Sequence, residues 1–289
     1  MSKSTESEKP APVPERAGTK APSSARAAIV TGAGRGLGRA MALGLAHAGV
    51  RVVATAARER AEIEAVAAEA GEGMILPVLA DVTREADAAR VVAAALERFG
   101  RLDILVNNAG RGMKYVSENF MTEPTRFWEV EPDRWRMVID TNVNGPFLMA
   151  RAAAPHMARA GWGRIVNISM SHSTMRRAGF SPYGPSKAAL QSETIIWAQD
   201  LRGTGVTVNA LLPGGPTLTG MIPDAFPQNR RSALLDPAIM VPPLLWLVSE
   251  DADAISGCRV IANCWDEGNP SAAIEDAGWG GERAGRTAS

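Results

Sequence analysis

Seven short aliphatic runs, separated by Ala-rich stretches of helical period, constrain the folding of this 289-residue chain more than any other feature. They are AAIVT (27–31), RVVAT (51–55), MILPVL (74–79), LDILVN (102–107), RIVNI (164–168), VTVNALL (206–212) and CRVIA (258–262). Most are apolar almost throughout, as strands covered on both faces must be. Between them lie GRAMALGLAHAG, EIEAVAAEAG, DAARVVAAALERFG, DRWRMVIDTNVNGPFLMARAAAPHMARAG and KAALQSETIIWAQDLRGTG, and several stop at a glycine. Glycine adopts a left-handed helix-terminal conformation most easily. Alternating β and α elements, with no repeat at solenoid periods, predict one α/β domain: about seven mainly parallel strands with helices on both faces.

Three segments interrupt the alternation. Residues 111–132 and 214–243 are long for connections, and each follows the C-terminal end of a strand. Ligands bind at that edge of an open α/β sheet, so both segments are expected to act as lids. Residues 266–289 are Gly-rich and polar, and are expected to form a solvated tail. Residues 1–26 carry Pro10, Pro12, Pro14 and Pro22 among Ser, Lys and Glu. They hold too little apolar surface to offset the entropy of ordering. The domain proper is therefore expected at 27–265, behind a disordered tail.

Thirty-one basic residues balance thirty-one acidic ones, so net charge points neither to nucleic acid nor to a membrane surface. Cys258 and Cys264 are too few for a disulfide framework, and His47, His156 and His172 show no metal-ligand spacing. With no run long enough to span a bilayer and no apolar core of a secretory signal near the N-terminus, a cytoplasmic setting is expected.

The first run leads directly into TGAGRGLGRA (31–40) and then a helix. A strand, a glycine turn and a helix in this order let backbone N–H groups approach a pyrophosphate at the helix N-terminus. Gly32, Arg35, Gly36, Leu37 and Gly38 are the candidate contacts. The second run continues as VVATAARER, with no carboxylate before Glu59. An acidic residue here would bind the ribose 2′-OH of NAD, whereas an arginine would accommodate the 2′-phosphate of NADP. Arg35 and Arg58 favour NADP, with NAD as the alternative.

Further motifs follow in order: ADV (80–82), NNAG (107–110), Asn142 in DTNVNG, NISMS (167–171), YGPSK (183–187) and LPGGPTLT (212–219). Together with the glycine turn they resemble the short-chain dehydrogenase/reductase family in its single-domain form, over roughly residues 26–265. The resemblance implies a Rossmann-like, doubly wound sheet. It implies an NAD(P)-dependent oxidoreductase that moves hydride between nicotinamide and a ketone or secondary alcohol. It also implies that Asp81 and Val82 contact the adenine, and that Asn108, Ala109 and Gly110 line the cofactor. Pro213 and Gly214 would pass over the nicotinamide. The threonine beyond them is Thr219 if one glycine is inserted, since the usual position here is Leu218.

In such enzymes a tyrosine and a lysine four residues apart carry the proton chemistry, here Tyr183 and Lys187. Residues i and i+4 share a helix face, so the ammonium is expected to lower the phenol's pKa towards a useful range and to hold the nicotinamide ribose. The tyrosine would protonate a carbonyl oxygen or deprotonate an alcohol. A serine should polarise that oxygen. Its usual place, thirteen residues before the tyrosine, is Met170, leaving Ser171 as the first choice and Ser169 as the second. Asn142 would hold a water that relays protons to Lys187. A non-redox lyase on the same fold and a silent dinucleotide-binding regulator are the alternatives. The expected partners are a small carbonyl or alcohol substrate and, by analogy with the family, further copies of the chain as a homodimer or homotetramer.

Overall fold

The computed structural model describes residues 25–223 and 226–277. Eight strands form one sheet: β1 Ala27–Val30, β2 Arg51–Ala56, β3 Ile75–Leu79, β4 Ile104–Asn107, β5 Gly163–Ile168, β6 Val206–Leu212, β7 Cys258–Ile261 and β8 Ile274–Asp276. Their spatial order is β3-β2-β1-β4-β5-β6-β7-β8. The first seven are parallel, and β8 pairs antiparallel with β7 through Val260 and Ile274. The helices are α1 Gly36–His47, α2 Arg60–Ala70, α3 Glu85–Phe99, α4 Pro132–Ile139, α5 Gly145–Ala160, α6 His172–Met175, α7 Tyr183–Asp200 and α8 Val241–Leu247.

The seven aliphatic runs became β1 to β7 because both faces of the sheet are covered. On one face Ile63, Leu45, Val52, Ile104, Leu244 and Leu247 share a core. On the other, Ile29, Leu105, Val91, Met149, Met157 and Val208 form a second. Strand order reverses between β1 and β4, so a crevice opens at their C-terminal ends, where the glycine turn and NNAG emerge.

Two expectations about the ends need correction. Residues 266–277 are not a free solvated tail: β8 extends the sheet, and Ala273 and Ala277 beside it are fully buried. The segment escaped notice because a three-residue strand flanked by alanines carries almost no hydrophobic period. At the other end Arg26, assigned to the disordered tail, is buried and donates to the Val248 carbonyl at 2.9 Å. Its guanidinium lies 3.6 Å from the centre of the Trp162 ring, an arrangement in which the cation meets the ring's negative face. The expectations for residues 1–24 and 278–289 lie outside the described residues.

The long helical stretch after residues 111–132 is divided. A π-helical turn, Asp140–Asn144, separates α4 from α5 and carries Asn142. Such single wide turns often mark functional sites in helices.

Candidate active site

The crevice is a cavity of about 510 Å³ running from the glycine turn to Tyr183. At the glycine end, Gly36 has φ +54°, and a Cβ on Gly38 would lie 2.2 Å from the Gly32 carbonyl oxygen. Only glycine fits where the turn folds back this tightly. Thr31, which sequence reasoning passed over, ties the turn to β4. Its Oγ1 accepts from the backbone N–H groups of Asn108 and Ala109, both at 3.0 Å. The Asn108 amide donates to the carbonyls of Thr31 at 2.8 Å and Gly32 at 3.0 Å. Asn108 is thus a clasp for the turn as well as part of the wall.

All the residues expected around a cofactor line this one cavity: Gly32, Arg35, Gly36, Leu37, Gly38, Arg58, Asp81, Val82, Asn108, Ala109, Gly110, Tyr183, Lys187, Pro213, Gly214 and Thr219. Thr219 stands on the wall, with its methyl over Gly36, whereas Leu218 is half exposed to solvent. Asp81 lies ahead of α3, which begins at Glu85, and its Oδ1 accepts from the Thr83 N–H at 3.0 Å and hydroxyl at 2.8 Å.

One premise of the NADP argument fails. A competing carboxylate is present: Glu62, in the first turn of α2, reaches back over Gly34 and pairs with Arg35 at 3.5 Å. It was hidden because it lies beyond the end of β2, and only the fold of α2 onto the glycine turn brings it to the cavity. Arg58 has no carboxylate partner among the described residues.

At the other end Tyr183 opens α7, and Lys187 follows one turn later, buried. The ammonium donates to the Ile168 carbonyl at the end of β5, at 2.7 Å, and not to the phenol. Burial pushes Tyr183 up to about 12 and Lys187 down to about 8. The expected lowering of the phenol is therefore not found. Desolvation penalises both charged forms, and the lysine's bond is spent on a backbone carbonyl. The phenol's hydrogen-bond acceptor among the described residues is the Met221 sulfur, 4.0 Å from the tyrosine oxygen. Met221 also packs on Gly112, so the 111–132 and 214–243 segments meet beside the tyrosine. Met113, Tyr115, Phe120 and Ile222 from the same segments line the wall, whereas Phe127, Trp128, Arg230 and Arg231 do not.

Asn142 is fully buried beside this end but is not part of the wall. Its oxygen accepts from the Arg111 N–H at 2.8 Å, and its amide donates to the Arg111 carbonyl and to the Ser186 hydroxyl, both at 2.9 Å. Its side-chain protons are spent on bracing the segment at Arg111 against α7. A Cβ on Gly110 would meet both the Asn142 oxygen, at 3.3 Å, and the Lys187 nitrogen, at 3.8 Å, so a bare backbone lets these groups converge. Ser169 and Ser171 both line the cavity, as does Met170 between them.

With this geometry in view the relationships of the chain are specific. A sequence profile of the family described as short chain dehydrogenase matches residues 26–230. The chain belongs to that family. It is similar to a 3-oxoacyl-[acyl-carrier-protein] reductase of Synechocystis sp., 36% identical over 193 residues, 66% of this chain and 74% of that protein. A solved structure of 3-ketoacyl-(acyl-carrier-protein) reductase from Brucella melitensis, complexed with NADH, shares 33% identity with a TM-score of 0.71. It covers 81% of this chain and 95% of its own. The D-beta-hydroxybutyrate dehydrogenase of Rhizobium meliloti is 33% identical over 160 residues, 55% of this chain. The chain spans only 53% and 58% of the length of the first curated relatives it matches.

Proposed function

We propose that the protein is an NAD(P)-dependent oxidoreductase acting on a ketone or secondary alcohol. The observation that carries this reading is the convergence of Tyr183, Lys187 and two cavity serines at one end of a crevice whose other end is a glycine turn. The residues fit a dinucleotide: Gly32, Gly36 and Gly38 leave room for a pyrophosphate, and Arg58 faces the same cavity without a carboxylate partner among the described residues. When bound, the dinucleotide supplies or accepts the hydride.

The chain's own residues supply the proton chemistry. A phenol pushed up to about 12 is protonated at neutral pH, so Tyr183 stands ready to donate a proton to a carbonyl oxygen. This protonation state suits reduction. Lys187, pushed down to about 8, carries a charge that changes just above neutrality, and it would hold the ribose end of a bound cofactor. A serine hydroxyl, Ser169 or Ser171, donates to the same substrate oxygen. Asn142 keeps the Arg111 segment and α7 in register. Met221 and its neighbours exclude water from the reacting carbon, which strengthens each of these interactions.

Arg35 and Arg58 favour NADP, and the Glu62 pairing weakens that preference. A homodimer or homotetramer fits the exposed Phe147 on α5 and Ile196 on α7, and a cytoplasmic setting fits a chain with only two cysteines. No helix of the described residues is long and apolar enough to cross a membrane. Fluorescence titration with NADPH and NADH, followed by a screen of ketones, tests the reading. Binding of either dinucleotide with oxidation by a ketone supports it, and failure of both to bind refutes it.

A further inference from the structure

The spacing to Tyr183 leaves two serines open, but their hydrogen bonds are not equivalent. Ser171 Oγ belongs to a small hydroxyl cluster, 2.9 Å from Thr174 Oγ1 and 3.3 Å from Ser173 Oγ. Its proton has acceptors within the protein. Ser169 is 5% exposed and is one of the residues that line the cavity. Its Oγ accepts from Gln191 Nε2 at 3.1 Å, and its own proton meets no acceptor among the described residues. A buried hydroxyl with a filled acceptor site and an unused proton is a donor in search of an oxygen.

Gln191 is itself held. It is fully buried on α7, two turns beyond Tyr183, and its Oε1 lies 2.8 Å from His172 Nε2 at the start of α6. An amide oxygen only accepts, so with this face of the amide towards His172 the proton sits on Nε2; the tautomer of His172 and the direction of the Gln191 amide go together. Were the amide turned round, its oxygen would take the serine proton and point it away from the cavity. The chain His172 to Gln191 to Ser169 therefore sets the direction of the last hydrogen bond.

Resting on the oxidoreductase reading, we infer that Ser169 rather than Ser171 is the hydroxyl that polarises the substrate oxygen. Gln191 and His172 are positioning residues that hold it as a donor. They need no contact with the substrate, and their effect is on turnover rather than on affinity for the dinucleotide.

The test is a double-mutant cycle on the full chain, assayed with NADPH or NADH against ethyl acetoacetate, cyclohexanone and acetophenone. Ser169→Ala is expected to lower kcat by about a hundredfold and Ser171→Ala by less than threefold. Gln191→Met is expected to lower kcat about tenfold in the parent and less than twofold in the Ser169→Ala background, with the dinucleotide Kd unchanged in both. Gln191→Glu, whose carboxylate accepts the serine proton, should fall below Gln191→Met. Losses that multiply in the double variant, or a larger loss in Ser171→Ala, would overturn the inference. If the parent reduces no ketone, the oxidoreductase reading fails separately. The side-chain amide resonance of Gln191 then tests the hydrogen-bond chain to Ser169 by itself. It must shift in Ser169→Ala and not in Ser171→Ala, and an unmoved resonance in Ser169→Ala overturns it. Should Gln191→Glu not fold, the methionine cycle and the resonance still decide.

Discussion

Replacing Lys187 by methionine should make the protein more stable at neutral pH while stopping turnover. The side chain is only 4% exposed, and burial presses its pKa from 10.5 to about 8. At about 1.4 kcal/mol per pH unit that difference corresponds to about 3 kcal/mol held against the folded state at pH 7. The sign follows from proton binding. Between pH 8 and 10.5 the unfolded lysine keeps a proton that the folded one has lost, so the parent gains stability as pH rises. Methionine has a similar length and no proton to bind. Against its gain stands the lost bond to the Ile168 carbonyl, 2.7 Å long in the parent and worth about 1.5–3 kcal/mol for a charged donor. The net at pH 7 is between neutrality and about 2 kcal/mol in favour of Lys187→Met, or up to several degrees in Tm.

The pH dependence is the sharper measure, because the lost hydrogen bond largely cancels from it. From pH 7 to pH 9.5 the difference in stability between Lys187→Met and the parent should fall by about 2 kcal/mol as the parent's lysine sheds its proton. Urea denaturation across this range reads it directly, below the pH at which the phenol titrates. The kcat should drop by at least about a hundredfold at every pH. A stability difference that stays flat from pH 7 to 9.5 would refute the buried-ammonium reasoning, whatever its size.

Glu193 on α7 has a buried Oε2 with no hydrogen-bond partner, and burial pushes its carboxyl up to about 7. Between pH 4.5 and 7 the folded state holds a proton that the unfolded one has released, so stability falls as pH rises through that window. Glu193→Gln should therefore gain about 1–3 kcal/mol at pH 8 and nothing at pH 4, as thermal melts at the two pH values will show. Glu62→Gln removes the partner of Arg35 and should tighten NADPH about two- to fivefold without changing NADH. Equal changes for both dinucleotides would mean that Arg35 does not read the 2′-phosphate. Gly38→Ala places a methyl 2.2 Å from the Gly32 oxygen. It should cost about 1–3 kcal/mol of stability and most of the dinucleotide affinity, measured by the same titrations.

The parts of this molecule that were legible in its sequence are those in which one local pattern answers to one local cause. β1 to β7 were readable because strands covered on both faces have to be aliphatic throughout, and the glycine turn because no other residue fits Gly36 and Gly38. β8 was not, since three residues beside two alanines gain their burial from β7 and leave no period of their own. Glu62 lay in plain view, but its effect on Arg35 depends on where α2 lands. Tyr183 makes the point most sharply. Its spacing to Lys187 was visible and suggested a lowered phenol. Yet the sign of the shift is set by burial and by the Ile168 carbonyl that takes the lysine's bond, and neither is local to YGPSK. The serine follows the same logic. Counting back from Tyr183 finds Met170 and leaves a choice between its neighbours. As inferred above, that choice is ordered through Gln191 on α7 and His172 on α6, residues that spacing alone gave no reason to consult. Motifs assemble the groups of such a site, whereas the direction in which each group gives or takes a proton is fixed by the residues packed behind it.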